Sequence, residues 1–155
     1  MNREILFKAK RKDNGKWVEG YYCKINETTY CVEEDYKRFP VPTHHYILVE
    51  TMTDWGLPNR FLQFEIVPDT LCQYTGLTDK NGKKIWENDI ISINAYSYYE
   101  PEDDYFGVVT YCEKDACWSL YSEASDIICE CFGSYTTEII NHGNIFDNAD
   151  LLEVE

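Results

Sequence analysis

Acidic residues gather around a glycine turn in the middle of the chain, and residues of these types can bind metal ions or transfer protons. Asp79 and Asn81 form an Asp-x-Asn pattern like the start of an EF-hand calcium loop. In that loop glycine stands at the sixth position and a bidentate glutamate at the twelfth. Here Gly82 stands at the fourth position and Ile90 at the twelfth. The spacing therefore favours a tight turn over a calcium site.

Glu87 and Asp89 are a second set of carboxylates with the potential for chemistry. On a strand, residues two apart share one face, so this pair could serve general acid–base catalysis. A hydrolase that uses these carboxylates is therefore one functional hypothesis. The sequence has no local signature of a Ser-His-Asp or Cys-His arrangement. From these patterns we predict no catalytic residue and no cofactor.

Histidine and cysteine offer the other potential metal ligands. His44 and His45 are adjacent, so on a strand they face opposite sides and cannot readily chelate one ion. The seven cysteines include no C-x-x-C pair, although Cys129 and Cys131 would share a strand face. An odd number of cysteines without a secretory signal indicates reduced thiols. We expect small buried residues in a sheet, with a zinc site as the alternative.

Charge is distributed unevenly along the 155 residues, whose formal net charge is −14. Residues 1–78 carry 10 basic and 11 acidic residues, whereas residues 79–155 carry 4 and 17. This balance argues against phosphate-contacting nucleic-acid binding and against anionic membrane surfaces. No run approaches the roughly 18 apolar residues of a membrane span, and the N-terminus lacks the apolar centre of a signal peptide. We expect a cytoplasmic protein.

Short strands with period-two alternation account for most of the sequence pattern. Ile5 to Lys10 and Trp17 to Cys23 flank Asp13-Asn14-Gly15 and predict an N-terminal hairpin. The charged, proline-containing stretch from Glu33 to Pro42 predicts a surface loop. Further strands are predicted at residues 46–49, 61–67, 90–93, 105–111, 117–121, 126–129 and 136–140. Only residues 147–152 have the pattern of a helix start, with capping residues before a pair of leucines.

These elements predict a mainly β chain, either all-β or α+β with little helix. We expect an N-terminal β-hairpin or meander region over residues 1–72. Over residues 73–155 the order of turn, strand, loop and further strands is typical of a small SH3-like β-barrel. The two regions could also form one compact unit.

The stretch Tyr74–Ile91, YTGLTDKNGKKIWENDII, resembles the central motif of the YopX family of phage and prophage proteins. The N-terminal hairpin, Gly107-Val108-Val109 and the ending Ile140–Asn148 are similar to other parts of that family, with His142 as an added residue. Asn88 stands where the family usually has glycine. The resemblance implies a largely β, phage- or prophage-encoded cytosolic protein without an assigned activity or cofactor. The residues to which we assign a structural role in the motif are Thr75, Gly76, Leu77, Asp79, Gly82, Ile85, Asp89, Gly107, Gly143 and Asn144.

Three functional hypotheses follow. The first is a non-catalytic interaction protein, a homo-oligomer or a binder of an unidentified host or phage protein. Its aromatic contact surface would comprise Trp55, Tyr96, Tyr98 and Tyr99.

The second hypothesis is an acidic decoy that imitates DNA and occupies a host DNA-binding protein. Its phosphate-like array would comprise Glu100, Glu102, Asp103, Asp104, Glu113 and Asp115. The third is the carboxylate-dependent hydrolase.

Overall fold

The structure, a computed structural model, describes residues 4–95, 103–122, 125–129 and 136–152. Within them, Ile5–Leu71 form one compact unit, and Glu4 with the described part of Cys72–Glu155 forms another. None of the helices in these ranges is long and apolar enough to cross a membrane.

The first unit contains an antiparallel sheet of four strands in the order β4-β3-β2-β1. These strands are β1 (Phe7–Lys10), β2 (Trp17–Asn26), β3 (Thr43–Thr51) and β4 (Arg60–Glu65). The predicted N-terminal hairpin is present as β1 and β2. A short 3-10 turn, Pro68–Thr70, follows β4.

The core of the first unit is small. Its fully buried centre consists of Ala9, Ile47 and Ile66. Tyr22 on β2 lies opposite Ile47 on β3, so both side chains lie on the face of the sheet that packs into this core. The opposite face, which includes Tyr21 and Phe61, is largely open to solvent.

The loop predicted between Glu33 and Pro42 contains a six-residue helix, α1 (Glu33–Arg38), so that prediction is wrong for these residues. Acidic residues occupy the first turn of α1 and basic residues the last. This order complements the helix dipole and favours a helix that has no buried side chain to hold it. The helix ends just before Pro40, which lacks an amide hydrogen.

The second unit contains a hairpin and a five-stranded antiparallel sheet in the order β10-β9-β8-β7-β11. The hairpin consists of β5 (Cys72–Thr78) and β6 (Lys84–Trp86). The sheet consists of β7 (Asp89–Ala95), β8 (Asp103–Cys112), β9 (Cys117–Ser122), β10 (Ser125–Cys129) and β11 (Thr136–Asn144). Its core contains Ile85, Ile91, Ile93, Val109 and Leu120.

The prediction of a mainly β chain is confirmed, whereas the SH3-like barrel is not. In the described residues the five strands form an open sheet with β10 and β11 at its edges. Alternation and turn spacing predict strands, but closure depends on pairing between distant strands and leaves no local pattern. At the predicted helix entry the chain forms a 3-10 turn, Ala149–Leu152.

Candidate functional site

The carboxylate of Asp79 organises the turn between β5 and β6. Its Oδ1 atom accepts hydrogen bonds from the backbone amides of Asn81 and Lys83, each at 2.8 Å. Burial raises the pKa of the Asp79 carboxyl, but these amide hydrogen bonds outweigh burial and leave the pKa below its ordinary value. The carboxylate thus acts as an acceptor for backbone amides, as an Asx turn requires.

Asp89 and Glu87 also accept hydrogen bonds from the backbone. Asp89 is only 1 % exposed, and its Oδ2 atom accepts from the Trp86 amide at 3.0 Å and from the Asn141 side-chain amide at 2.7 Å. The Oε2 atom of Glu87 accepts from the Gln73 amide at 3.3 Å. These contacts are typical of structural acceptors and lend no support to the hydrolase hypothesis.

Thr75 joins the two strands of the same hairpin. Its hydroxyl donates to the carbonyl of Ile85 at 2.8 Å and accepts from the amide of Leu77 at 3.1 Å. Both Thr75 and Ile85 are buried, and Leu77 packs against the core of the second unit. Gly76, between Thr75 and Leu77 in the chain, has a φ of 90°, a backbone conformation that favours glycine.

The ending at Gly143 and Asn144 forms a compact turn. The side-chain oxygen of Asn144 accepts from the amides of Phe146 and Asp147 at 3.0 and 3.1 Å. A Cβ atom on Gly143 would lie 2.1 Å from the side-chain oxygen of Asn148. A larger residue at position 143 would therefore require the Asn148 side chain to move.

Asn141 is a residue that the sequence patterns did not single out. Its side-chain amide donates to Asp89, and its side-chain oxygen accepts from the Gly143 amide at 2.9 Å. It therefore connects the central motif to the ending. The only signal for it was its position within the Ile140–Asn148 stretch.

Across the described residues, no group of three or more His, Cys, Asp or Glu side chains is placed to hold a metal ion.

A polar cluster lies on the open face of the first unit. His44 lies between two carboxylates, with Nδ1 at 3.0 Å from Glu65 Oε1 and Nε2 at 2.7 Å from Glu27 Oε1. Lys12 Nζ is 2.9 Å from the same Glu65 oxygen. The hydrogen bonds to Glu65 and Glu27 raise the pKa of His44. The hydrogen bonds from His44 and Lys12 lower the pKa of Glu65.

His45 faces the other side of β3, where its Nδ1 atom is 2.7 Å from the hydroxyl of Tyr22. The two adjacent histidines therefore have separate partners, as their strand position predicted.

The loop between β3 and β4 presents apolar side chains to solvent. We refer to residues 52–59 as the β3–β4 tip. The exposed fractions are 96 % for Trp55, 80 % for Met52 and 62 % for Leu57. Internal hydrogen bonds fix the loop: the Thr53 hydroxyl donates to the Pro58 carbonyl at 2.9 Å. The Leu57 amide donates to the Asp54 carbonyl at 3.1 Å. The tip is thus a loop with internal hydrogen bonds that exposes three large apolar side chains.

The YopX protein family matches residues 6–153, nearly the whole chain. The chain belongs to the YopX family. The crystal structure of protein EF1440 from Enterococcus faecalis is similar, with a TM-score of 0.50 and 19 % sequence identity. The similarity covers 98 % of this chain and 100 % of that chain, and it concerns the fold alone. No curated protein matches.

Asn88 is the position at which the sequence differs from the YopX-like motif. Asn88 has a φ of +64°, in the left-handed region that glycine and asparagine tolerate best. Its amide donates to the Val109 carbonyl at 2.9 Å, and its carbonyl accepts from the Ile145 amide at 3.1 Å. Asparagine therefore fits a backbone conformation that glycine also adopts readily.

Only part of the predicted interaction surface lies within the described residues. Trp55 is exposed at the β3–β4 tip, and Asp104 on β8 accepts from the Asn94 side chain at 3.1 Å. Asp103 begins β8, and its side chain is not described. The predicted contact and decoy residues that lie outside the described ranges are Tyr96, Tyr98, Tyr99, Glu100 and Glu102.

The described cysteines differ in exposure. Cys72 is buried, as expected for a small residue in a sheet, whereas Cys31 is exposed, which contradicts that expectation. Cys23, Cys112 and Cys117 are partly exposed free thiols. Cys129 ends β10, and Cys131 lies outside the described residues.

The glycine of the YopX-like strand Gly107-Val108-Val109 lies where two backbones approach closely. A Cβ atom on Gly107 would lie 2.2 Å from the carbonyl oxygen of Tyr121 on β9. Only glycine fits at this position without movement of one strand.

Proposed function

We propose that this member of the YopX family is a non-catalytic protein-interaction module that self-associates through the β3–β4 tip. The observation that carries this proposal is the 96 % exposure of Trp55 on a loop with internal hydrogen bonds. Tryptophan is enriched among residues that dominate binding energy, and its ring loses little conformational entropy when it is bound. Isolated surface tryptophans need no explanation, but here Met52 and Leu57 are also exposed in the same short loop.

The hydrogen bonds within and beside the tip favour binding. The Asp54 carboxylate accepts from the Trp55 amide at 2.7 Å, and the Asn59 side chain donates to Glu50 at 2.8 Å. A loop that is already fixed in the free protein loses less entropy on association than a mobile loop does. We infer that the tip binds without a change of conformation.

Other exposed apolar residues in the first unit extend the surface available for contact. Tyr21 and Phe61 are 45 % and 52 % exposed, and their rings meet edge to face at 5.9 Å on the open face of the sheet. The fully buried core beneath the sheet is small, and both rings remain exposed on the opposite face. A second copy of the chain would cover this surface without a requirement for another partner.

The biological setting belongs to the same proposal. A phage or prophage protein in the bacterial cytoplasm could use the tip on its own copies or on an unidentified host or phage protein. The net charge of −14 supports a protein partner over nucleic acid or an anionic membrane.

Solution mass tests self-association. Sedimentation equilibrium of the wild-type chain over a range of concentrations should give a mass above the 18.3 kDa of one chain. Trp55→Ala should lower the mass towards 18.3 kDa, because the largest apolar side chain of the tip is lost. Tyr121→Ala is the matched control, since it removes an exposed aromatic ring from β9, outside the tip. A wild-type chain that stays monomeric, or equal effects of the two substitutions, would contradict the proposal.

The acidic decoy is the second candidate, and the charge of the second half favours it. Residues 79–155 carry 17 acidic and 4 basic residues, and Asp104, Glu113 and Asp115 are exposed. A decoy would capture a basic DNA-binding protein in a salt-sensitive manner. Capture should disappear when Glu102→Gln, Asp103→Asn and Asp104→Asn are combined. Capture that persists in high salt would count against the decoy.

A further inference from the structure

The hairpin between β8 and β9 has a pair of cysteines at its turn. Cys112 is the last residue of β8 and Cys117 the first of β9, and the two are directly opposite each other in the antiparallel register. Both are partly exposed free thiols. The turn between them contains Glu113, Lys114, Asp115 and Ala116.

The backbone already places this pair at the separation that a disulfide needs. Opposite residues of an antiparallel pair have Cα atoms about 4.5 or 5.5 Å apart, depending on the hydrogen-bonding position. Disulfides span Cα separations of about 4.4 to 6.8 Å. Side chains at opposite positions also share one face of the sheet. Formation of a bond between Cys112 and Cys117 therefore requires no change of register.

The sulfur atoms now contact different neighbours. Cys112 Sγ donates to the Asp115 carboxylate at 3.3 Å, and Cys117 Sγ is 4.0 Å from the Ser119 hydroxyl. Rotation about χ1 of each cysteine would turn the two sulfur atoms towards each other. Because these contacts are weak or long, rotation sacrifices little hydrogen bonding.

The other described cysteines lack such a partner within the register. Cys23 on β2 is opposite Tyr46, and Cys129 on β10 is opposite Leu120. Cys72 is buried, and Cys31 lies outside the strands. Among the described cysteines, the strand register thus sets one pair, Cys112 and Cys117, face to face.

We propose that Cys112 and Cys117 form a thiol modification site that reacts with a low-molecular-weight disulfide such as oxidised glutathione. One cysteine thiolate attacks the small disulfide, a mixed disulfide forms, and one small thiolate leaves and takes up a proton. The second cysteine thiolate then attacks the mixed disulfide at the protein sulfur. The Cys112–Cys117 bond forms, and the second small thiolate leaves and is protonated. Two protein thiols are oxidised, and one small disulfide is reduced to two thiols.

The result would be a covalent link across the open end of the hairpin. In the reduced protein, backbone pairing between β8 and β9 and the edge-to-face contact of the Tyr111 and Trp118 rings at 5.1 Å hold that end. The link would keep the two strands together even when the turn is cleaved, for example after Lys114. The β8–β9 hairpin would thereby respond to the thiol–disulfide ratio of its surroundings.

Peptide mapping of the full chain tests the site. The folded protein is equilibrated in glutathione buffers of increasing oxidised fraction, its free thiols are alkylated, and it is digested with trypsin without reduction. Lys114 lies between the two cysteines, so the disulfide should link peptides 85–114 and 115–155. The linked pair should be absent from Cys112→Ser and Cys117→Ser, whose remaining cysteine should carry glutathione. Cys31→Ser is the matched control and should retain the link.

Two results would overturn the proposal. Peptide 115–155 also contains Cys129 and Cys131, so a link that survives in Cys117→Ser would assign the bond to another pair. The exposed Cys31 reports whether the buffer oxidises thiols on the folded chain. If Cys31 carries glutathione while Cys112 and Cys117 remain free to be alkylated, the pair does not react as proposed.

Discussion

The side-chain amide of Asn141 donates a hydrogen bond to the buried carboxylate of Asp89 at 2.7 Å. The other end of the same side chain accepts from the Gly143 amide at 2.9 Å. One asparagine thus satisfies a carboxylate at the start of β7 and the backbone at the end of β11. The central motif and the ending are therefore two parts of one hydrogen-bonded arrangement, although they lie far apart in sequence.

Removal of the Asp89 acceptor should destabilise the protein strongly. Asp89→Leu retains much of the side-chain volume but leaves the Trp86 amide and the Asn141 side chain without this acceptor. A buried donor without a partner costs about 1–3 kcal/mol. Urea unfolding should show a loss of about that size.

A double-mutant cycle identifies the cause of this loss. Asn141→Leu alone should also destabilise the protein, because Asp89 loses a donor. The double variant Asp89→Leu/Asn141→Leu should lose less than the sum of the two single variants, since neither partner is then left behind. Strictly additive losses would mean that the two side chains do not interact energetically.

The left-handed conformation of Asn88 predicts the effects of two small substitutions. Asn88→Gly and Asn88→Ala both remove the weak contact of the side-chain amide with Cys72 Sγ at 3.6 Å. Only alanine is strained at a φ of +64°. Asn88→Ala should therefore be less stable than Asn88→Gly by about 1–2 kcal/mol in denaturant unfolding. Equal stability would show that the backbone at position 88 changes conformation.

Local patterns predicted the elements that depend on near neighbours. Alternation of apolar and polar residues predicted the hairpin of β1 and β2. The residues from Asp79 to Gly82 predicted a turn, and in that turn Asp79 accepts hydrogen bonds from the backbone amides two and four residues ahead. The opposite orientations of His44 and His45 also followed from strand geometry.

Features that depend on distant or weak interactions could not be predicted in this way. The partnership of Asn141 with Asp89 exists only after β11 pairs with β7. The open form of the second sheet likewise depends on which strands pair. The short helix Glu33–Arg38 buries no residue, so it lacks the apolar periodicity by which helices are recognised.

The His44 cluster predicts a dependence of stability on pH. Hydrogen bonds to Glu65 and Glu27 raise the folded-state pKa of His44 above its ordinary value of 6.5. The corresponding stabilisation is fully present below about pH 6.5 and is lost as the pH rises through the folded-state pKa. The pKa of Glu65 is lowered, so its contribution is lost only as the pH falls through that lowered value, in acid.

The His44→Gln variant isolates the histidine contribution. Unfolding midpoints of the wild-type chain and this variant should differ most between the ordinary carboxyl range and about pH 6.5, and should converge in alkali. The side chains are partly exposed, so added salt should reduce the difference. A difference that stays constant through the histidine range would contradict protonation of His44 as its source.

Truncation of Trp86 and truncation of Trp55 should affect the free energy of unfolding to very different extents. Trp86 is 3 % exposed and lies 5.4 Å from the Tyr74 ring, whereas Trp55 is 96 % exposed. Trp86→Ala should lower the free energy of unfolding by about 3–5 kcal/mol, because the buried ring leaves a cavity. Trp55→Ala should change that energy by no more than about 0.5 kcal/mol, measured at a concentration where the chain is monomeric. A large loss in Trp55→Ala would assign the tip to the support of the fold. Unchanged stability combined with a lower solution mass would assign it to contact between chains.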